Sequence, residues 1–175
     1  MTVYSFRFPA KKNIVPIILF LILTSIFYAD GIFRNRSLIG AGNLYNDSLY
    51  RSIKPDNWQY VHIFDPTGYW HNAPWDLYAS KKIREGEIPL WNPYSGTGIP
   101  FLANWQTTIF SPFKIPLYIL PSMRTFELTL VLKVLLSSVF VFLFCRKINL
   151  SYWSSFLAGL SYSFCGGTTW SFPFL

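Results

Sequence analysis

The stretch that decides how this chain is interpreted is DPTGYWHNAPWDLYASKKIREGEIPLWNPYSGTGIPFLANWQTTIFSP, residues 65–112. It is dense in Trp, Tyr, Pro and Gly, and strongly apolar runs lie on both sides of it. Trp and Tyr concentrate where a bilayer meets water, because each has an apolar ring and a polar group that stays hydrated. We therefore expect residues 65–112 to lie at a membrane surface between membrane-spanning segments.

The composition also indicates a membrane protein. Of the 175 residues, 51% are hydrophobic, 20% are aromatic and 13% are charged, whereas about 25% of a soluble domain is charged. The net charge of +7 would suit either anionic lipid or nucleic acid. However, the Lys and Arg residues are scattered or lie beside the apolar runs, without the continuous basic stripe of a nucleic-acid-binding protein. We expect the lipid bilayer as a partner, and no nucleic acid.

Three apolar runs predict an all-α integral membrane protein with three transmembrane helices. The first run, Ile14–Phe33, contains 20 residues, which as a helix would span about 30 Å of hydrocarbon. The second, Phe126–Cys145, has the same length, and the third, Ser151–Trp170, is rich in small residues that let helices pack closely. A signal peptide would share the basic start of the chain, but the long first run and the lack of an Ala-x-Ala site favour an uncleaved anchor.

Basic residues at opposite ends of the first two runs predict the topology. Lys11 and Lys12 precede the first run, and Arg146 and Lys147 follow the second. Because cytoplasmic flanks are enriched in Lys and Arg, the N-terminus should lie in the cytoplasm. The predicted divisions are residues 1–33, a cytoplasmic tail with the first helix; residues 34–124, an extracytoplasmic loop; and residues 125–175, the second and third helices.

Residues 72–86 predict a helix within the loop. Asn72 can cap its N-terminus, Pro74 fits its first turn, and Gly86 can end it. Helical spacing of apolar residues gives one face, made of Trp75, Tyr78, Ala79 and Ile83. The basic residues near the C-terminal end are Lys81, Lys82 and Arg84. An aromatic face and a basic end predict an interfacial helix, whose cations would bind either a phosphate or lipid headgroups.

The following segment, Leu90–Pro121, is rich in Pro and Gly, which excludes a long regular element. Its apolar residues predict packing on the membrane surface or over a cavity. Trp91 and Trp105 could stack on a sugar ring or pack the loop itself. Their polar neighbours Asn92 and Gln106 could likewise bind a sugar or pack the loop. The sequence does not decide between these two roles.

Lys133 is a charge within the second apolar run, about one third of the way in from its outer end. A charge in hydrocarbon is costly. Lys133 should therefore face a partner or a wet cavity, or reach the outer surface through its flexible chain. The sequence leaves these alternatives open.

An ordered pattern extends through the loop and returns in the third apolar run. Its residues are Asp65, Pro74-Trp75, Gly86, Pro89-Leu90-Trp91-Asn92-Pro93-Tyr94, Gly98, Pro100, Leu102-Ala103-Asn104, Gln106, Phe110 and Pro112, and then Ala158-Gly159-Leu160-Ser161-Tyr162. In this pattern the chain resembles the bacterial YfhO-like family of multi-pass membrane proteins, which belongs to the GT-C class of glycosyltransferases. Members of that family are several times longer and have many more spans.

The resemblance implies that the chain is the N-terminal part of a GT-C-like bundle in the bacterial cytoplasmic membrane, inactive without the remaining helices. The full-length protein would transfer a sugar from a polyprenyl-phosphate donor to a cell-envelope acceptor on the outer face. It also implies a catalytic acid in the first outer loop, for which Asp65 is the candidate. Asp65 could instead only cap a helix that begins at Pro66. Asp30 and Asp76 are its rivals.

The residues that could bind a metal make a weak pattern. His62, Asp65 and His71 match no standard ligand spacing, so no metal site is expected and a divalent cation stays only an alternative. Cys145 and Cys165 lie in apolar runs without a CxxC or zinc spacing, which indicates small buried hydrophobic residues.

A second class of function fits the same sequence. A non-catalytic multi-pass protein that assists envelope polymer assembly or transport would keep the loop for its structure alone. The enzyme would differ by needing further acids in its outer loops and many more spans.

Overall fold

The computed structural model describes residues 14–34, 36–39, 51–54 and 67–165, and within these ranges the chain is mostly helical. The α-helices are α1 (Ile14–Phe27), α2 (Ala29–Phe33), α3 (Ala73–Arg84), α4 (Ile115–Ile119), α5 (Met123–Lys147) and α6 (Tyr152–Phe164). Single 3-10 turns lie at Arg51–Ile53, Trp105–Thr107 and Pro112–Lys114, and a π-helical turn lies at Gly68–Asn72. Two short antiparallel strands, β1 (Trp91–Asn92) and β2 (Ile99–Pro100), form a hairpin that the sequence did not predict.

Helix α5 contains the predicted second span. It has 25 residues, a length of about 37 Å. Its N-terminus is capped by Ser122, whose Oγ accepts a hydrogen bond from the Thr125 amide at 3.0 Å. Within the described ranges it is the one helix long and apolar enough to cross a membrane. The other two spans and the direction of crossing stay predictions.

The predicted first span is not one regular helix. Tyr28 leaves helical geometry, with φ −101° and ψ 23°, and separates α1 from α2. Backbone hydrogen bonds continue across it, because the Ile32 amide donates to the Tyr28 carbonyl at 3.0 Å. In α2, Gly31 is buried directly against the Leu38 side chain, where a Cβ would overlap it. The segment that follows α2 therefore packs back onto α2 at this glycine.

Three helices form an aromatic bundle. The Phe20 ring of α1 stacks on Phe156 of α6 with centroids 4.9 Å apart, and it meets Phe142 of α5 edge-on at 6.1 Å. At the other end of α1, Tyr28 clusters with Phe126, near the N-terminus of α5. Helices α1 and α5 are therefore antiparallel.

Helices α5 and α6 pack closely because of a glycine. A Cβ on Gly159 would lie 2.6 Å from the Ser138 carbonyl oxygen of α5. The predicted close approach through small residues is confirmed at this position. The described part of the third run ends as a helix at Phe164, and residues 166–170 lie outside the described ranges.

A second layer packs on the N-terminal half of α5. Ala73 of α3 and Leu117 of α4 are buried with Leu130 and Val134 of α5. This layer and the bundle share α5, so α5 connects the two.

Helix α3 confirms the predicted helix, with Asn72 at its N-cap position but without the predicted capping by its side chain. Asn72 has helical φ and ψ and no capping hydrogen bond, because a wider turn precedes α3 and the Ala73 amide donates to the Gly68 carbonyl. A wider turn suits Pro74, which lacks an N–H and would crowd a preceding carbonyl in a regular helix. Trp75 and Tyr78 pack edge-on against Phe101. The aromatic face therefore packs in part on the hairpin segment.

Candidate functional site

A buried ion pair joins α3 to the Pro-rich segment. Asp76 and Lys114 are 6% and 5% exposed, and the Lys114 ammonium contacts the Asp76 carboxylate. Lys114 Nζ also donates to the Thr107 carbonyl at 2.6 Å. Buried charges are costly unless they are paired and hydrogen-bonded. The pair therefore fixes the position of residues 107–114 against α3.

The turn before Lys114 is ordered by its own side chains. Asn104 Oδ1 accepts a hydrogen bond from the Gln106 amide at 3.1 Å, and Thr107 Oγ1 donates to the Asn104 carbonyl at 2.7 Å. Thr108 then adopts a left-handed conformation with φ 40° and ψ 40°. This conformation is unfavourable for a β-branched residue and persists only where the surroundings impose it. Six residues further on, Lys114 contacts Asp76 of α3.

A cavity of about 430 Å³ lies between this segment and α5. We call it the Lys133 cavity. Its lining residues are Thr108, Ser111, Phe113, Lys133, Leu136, Ser137 and Phe140. Lys133 is thus one of the residues that line this pocket, and its other predicted roles, pairing with a partner or reaching the outer surface, stay predictions.

Charge in this region is unbalanced. Asp76 binds Lys114, and among the described residues no carboxylate lies within ion-pairing distance of Lys133. Burial raises the pKa of Asp76, and the Lys114 ammonium works against that rise. Burial, together with the negative charge of Asp76, raises the pKa of Tyr118 to about 12. The Tyr118 hydroxyl also donates to the Ile109 carbonyl, which holds α4 onto the same turn.

The predicted acids do not come together in the described structure. Asp65, the candidate base, and His62 lie outside the described ranges. Asp30 lies in α2, where its carboxylate binds Arg34 at 2.8 Å and Arg36 at 3.5 Å. Asp76 is held by Lys114 and is not among the residues that line the Lys133 cavity.

The predicted phosphate-binding cations lie outside the Lys133 cavity. Lys82 binds Glu85 at 3.1 Å and Glu87 at 2.8 Å, and these contacts raise its pKa. Lys81 and Arg84 are exposed on α3. Headgroup or phosphate binding by these residues stays a prediction.

Of the predicted sugar-binding or packing residues, Trp91 and Asn92 pack the hairpin, and sugar binding stays a prediction. Trp91 lies over Gly98, where a Cβ would overlap its indole, so it packs on the hairpin. Asn92 is buried and orders the turn, donating to Ser95 Oγ at 3.0 Å and accepting from the Tyr94 amide at 2.9 Å.

Trp105 differs from Trp91, because its side chain is 83% exposed and free to meet a ligand or lipid. Gln106 beside it is also exposed.

Sequence reasoning missed two charged residues. Lys114 was not singled out, although a lone cation in the apolar SPFKIP segment is a signal for a buried partner. Glu127, near the start of α5, accepts hydrogen bonds from Ser37 Oγ at 2.8 Å and from the Leu38 amide at 3.0 Å. An acid at the edge of an apolar run is a similar signal.

In the described ranges, no three metal-ligating side chains come together. His71, the described member of the weak metal pattern, is exposed and lies beside the Trp75 ring.

Comparison with protein-family models, curated proteins and solved structures gave no match. The family resemblance therefore rests on the sequence pattern alone.

Proposed function

We propose that this chain forms the N-terminal part of a multi-pass membrane glycosyltransferase, which transfers a sugar from a polyprenyl-phosphate donor to a cell-envelope acceptor on the outer face of the bacterial cytoplasmic membrane. The Lys133 cavity carries the proposal. One wall is a helix long and apolar enough to cross a membrane, and a lysine without a described carboxylate partner lines it. A ligand with an anionic head and an apolar chain complements both features.

Sugar transfer from a lipid phosphate makes two demands on such a site. Negative charge develops on the departing phosphate, and a fixed cation in a water-poor site stabilises it. Lys133 would supply that cation. The acceptor hydroxyl must also lose its proton to a base. Asp76 binds Lys114 and Asp30 binds two arginines, which argues against either as the base and leaves Asp65 as our candidate.

One observation favours the non-catalytic alternative. The described lining of the Lys133 cavity contains hydroxyls, apolar groups and a lysine but no carboxylate. A protein that only binds and presents a lipid-linked polymer needs no base at that position. The two proposed functions can therefore be distinguished by testing whether activity requires a carboxylate.

Asp65→Asn in the full-length protein tests the transferase. Asn caps a helix as well as Asp does but cannot act as a base. We expect normal membrane insertion and a transfer rate lower by about 10²–10⁴, measured with a radiolabelled polyprenyl-phosphate sugar and isolated envelope acceptor. The matched control is Asp30→Asn, which should retain transfer. Full activity of Asp65→Asn would remove Asp65 from the mechanism.

The proposed outer location of the loop has a separate test. Thr97 is exposed at the tip of the hairpin, and Lys147 ends α5. In a background with Cys145 and Cys165 replaced by Ser, Thr97→Cys should react with an impermeant maleimide on intact cells, and Lys147→Cys should react only after permeabilisation. The reverse labelling pattern would invert the topology.

A further inference from the structure

We infer that residues 108–120 form a re-entrant segment, which enters the bilayer beside α5 and exposes its apolar side chains to the acyl chains of the leaflet nearest the N-terminus of α5. This inference goes beyond the proposed function, because it rests on α5 crossing a membrane and not on sugar transfer. It revises the sequence expectation that all of residues 34–124 lie outside the membrane.

The position of the re-entrant segment along α5 indicates its depth. The apolar run Phe126–Cys145 contains 20 residues, which as a helix span a hydrocarbon core of about 30 Å. Leu117 of α4 is buried with Leu130 and Val134 of α5, which lie about 6 Å and about 12 Å along the helix from Phe126. Helix α4 therefore packs on α5 below the level at which the hydrocarbon core begins.

The Lys133 cavity places the start of the segment deeper still. Thr108 and Phe113 line this cavity together with Lys133 and Phe140 of α5. These two residues of α5 lie about 10 Å and about 21 Å along the helix from Phe126. Helix α4 then leads back to the N-terminus of α5. The chain thus enters and leaves the bilayer on the same side.

The side chains of the segment are arranged as an apolar surrounding requires. Lys114 is buried against Asp76, and the Tyr118 hydroxyl donates to the Ile109 carbonyl, so both polar groups are used internally. A loop in water would expose mainly polar groups and seldom bury a lysine. Between residues 110 and 120 every exposed side chain is apolar, and these are Phe110, Pro112, Ile115, Pro116, Ile119 and Leu120.

The backbone of the segment also suits hydrocarbon, where polar groups of the chain must find partners within the protein. Pro112 and Pro116 have no N–H to satisfy. Their carbonyls accept hydrogen bonds from the Ile115 and Leu120 amides. Irregular backbone at membrane depth is tolerated where it lines a cavity, and the left-handed Thr108 lines the Lys133 cavity.

The residue types favour acyl chains over another helix as the occupant of this surface. Helices pack closely in membranes through small residues, as Gly159 of α6 does against the Ser138 carbonyl of α5. The exposed residues of the segment are instead large apolar residues and prolines, without Gly, Ala or Ser among them. Such a surface fits flexible lipid chains better than a rigid helix.

Accessibility of spin labels tests the inference. The full-length protein, in a background without other cysteines, carries a nitroxide at Ile115→Cys or Ile119→Cys and is placed in lipid nanodiscs. Power-saturation electron paramagnetic resonance compares collisions with oxygen, which concentrates in hydrocarbon, and with a water-soluble nickel chelate. We expect oxygen to be strongly favoured at both positions.

Two matched positions calibrate this measurement. Leu128→Cys lies on the exposed face of α5, and Thr97→Cys lies at the exposed tip of the hairpin. The Ile119 label should resemble the Leu128 label and differ from the Thr97 label. Nickel access at Ile115 and Ile119 would place the segment in water, and poor access of both reagents would place it against protein. Either result overturns the inference, as does nickel access at Leu128.

A charge introduced into the segment gives a second, thermodynamic test. Ile119→Lys should lower the folding equilibrium constant of the full-length protein in bicelles by about 10- to 100-fold, because a lysine near the interface only partly reaches water. Thr97→Lys is the control and should change little. Equally small effects of the two variants would contradict insertion of α4. Neither experiment uses sugar transfer, so a wild-type protein without transferase activity would still give the expected results.

Discussion

The bundle of α1, α5 and α6 shares α5 with the second layer, which consists of α3, α4 and the Pro-rich segment between them and is called the loop layer below. The two are stabilised by different interactions. In the bundle of α1, α5 and α6, Phe20, Phe142 and Phe156 pack as rings, and Gly159 brings two helices together. In the loop layer, a buried ion pair fixes a Pro-rich segment that has little regular structure. Packing alone orders long helices, whereas an irregular segment needs directional contacts to hold one conformation.

The largest expected effect removes the directional contact. Lys114→Met leaves the buried Asp76 carboxylate without its partner, which should destabilise the loop layer by about 3–5 kcal/mol. Limited proteolysis within residues 85–122 should accelerate, while the bundle keeps its resistance. The double variant Asp76→Leu with Lys114→Met should recover most of the loss, because no uncompensated charge remains. Simultaneous loss of the bundle would show that the two regions are not separable.

A smaller effect should appear in the bundle. Gly159→Val places side-chain carbons against the Ser138 carbonyl, and such overpacking costs about 1–3 kcal/mol. Thermal unfolding in detergent, followed by helical circular dichroism, measures the loss. The control is Leu157→Val on the exposed face of the same helix, which should change little. Unchanged stability of Gly159→Val would mean that α5 and α6 do not pack at this contact.

The smallest effect concerns α4. Tyr118→Phe removes the hydroxyl that donates to the Ile109 carbonyl, at a cost of about 0.5–1.5 kcal/mol at neutral pH. The pKa of Tyr118 is raised to about 12 from 10.0. The folded protein therefore keeps this proton where the unfolded chain loses it, and the stability from Tyr118 should fall as pH rises from about 10 to about 12. In that window the Tyr118→Phe protein should show a shallower loss of stability than the wild type. Parallel pH curves would exclude this role.

Local signals predicted the two regular helices α3 and α5. The apolar run at Phe126–Cys145 lies within α5, and residues 72–86 contain α3. Gly86 follows α3 with φ 79°, as a helix-ending glycine requires. Such features depend on residues close together in the chain, and spacing reveals them.

Contacts between residues far apart in the chain could not be predicted from such local spacing. Asp76 and Lys114 are 38 positions apart, and the segment between them contains a left-handed Thr108 that no propensity favours. The sequence predicted an apolar face for α3 but not the polar residues that it buries. The buried residues of α3 include Asp76 and Ser80. A charged residue on a helix does not always mark its exposed face, because a charge that forms an ion pair can be buried.

The hydrogen bonds that Glu127 accepts from Ser37 and Leu38 affect how easily the segment between them can vary in length. They connect residues about 90 positions apart and so join the two ends of residues 39–126. Once the ends of a loop are joined, lengthening it costs little, because each doubling adds only about 0.6 kcal/mol of closure entropy. Residues added at an exposed turn between these anchors, such as the hairpin tip, would therefore cost little in closure entropy and leave α5 joined to residues 37–38.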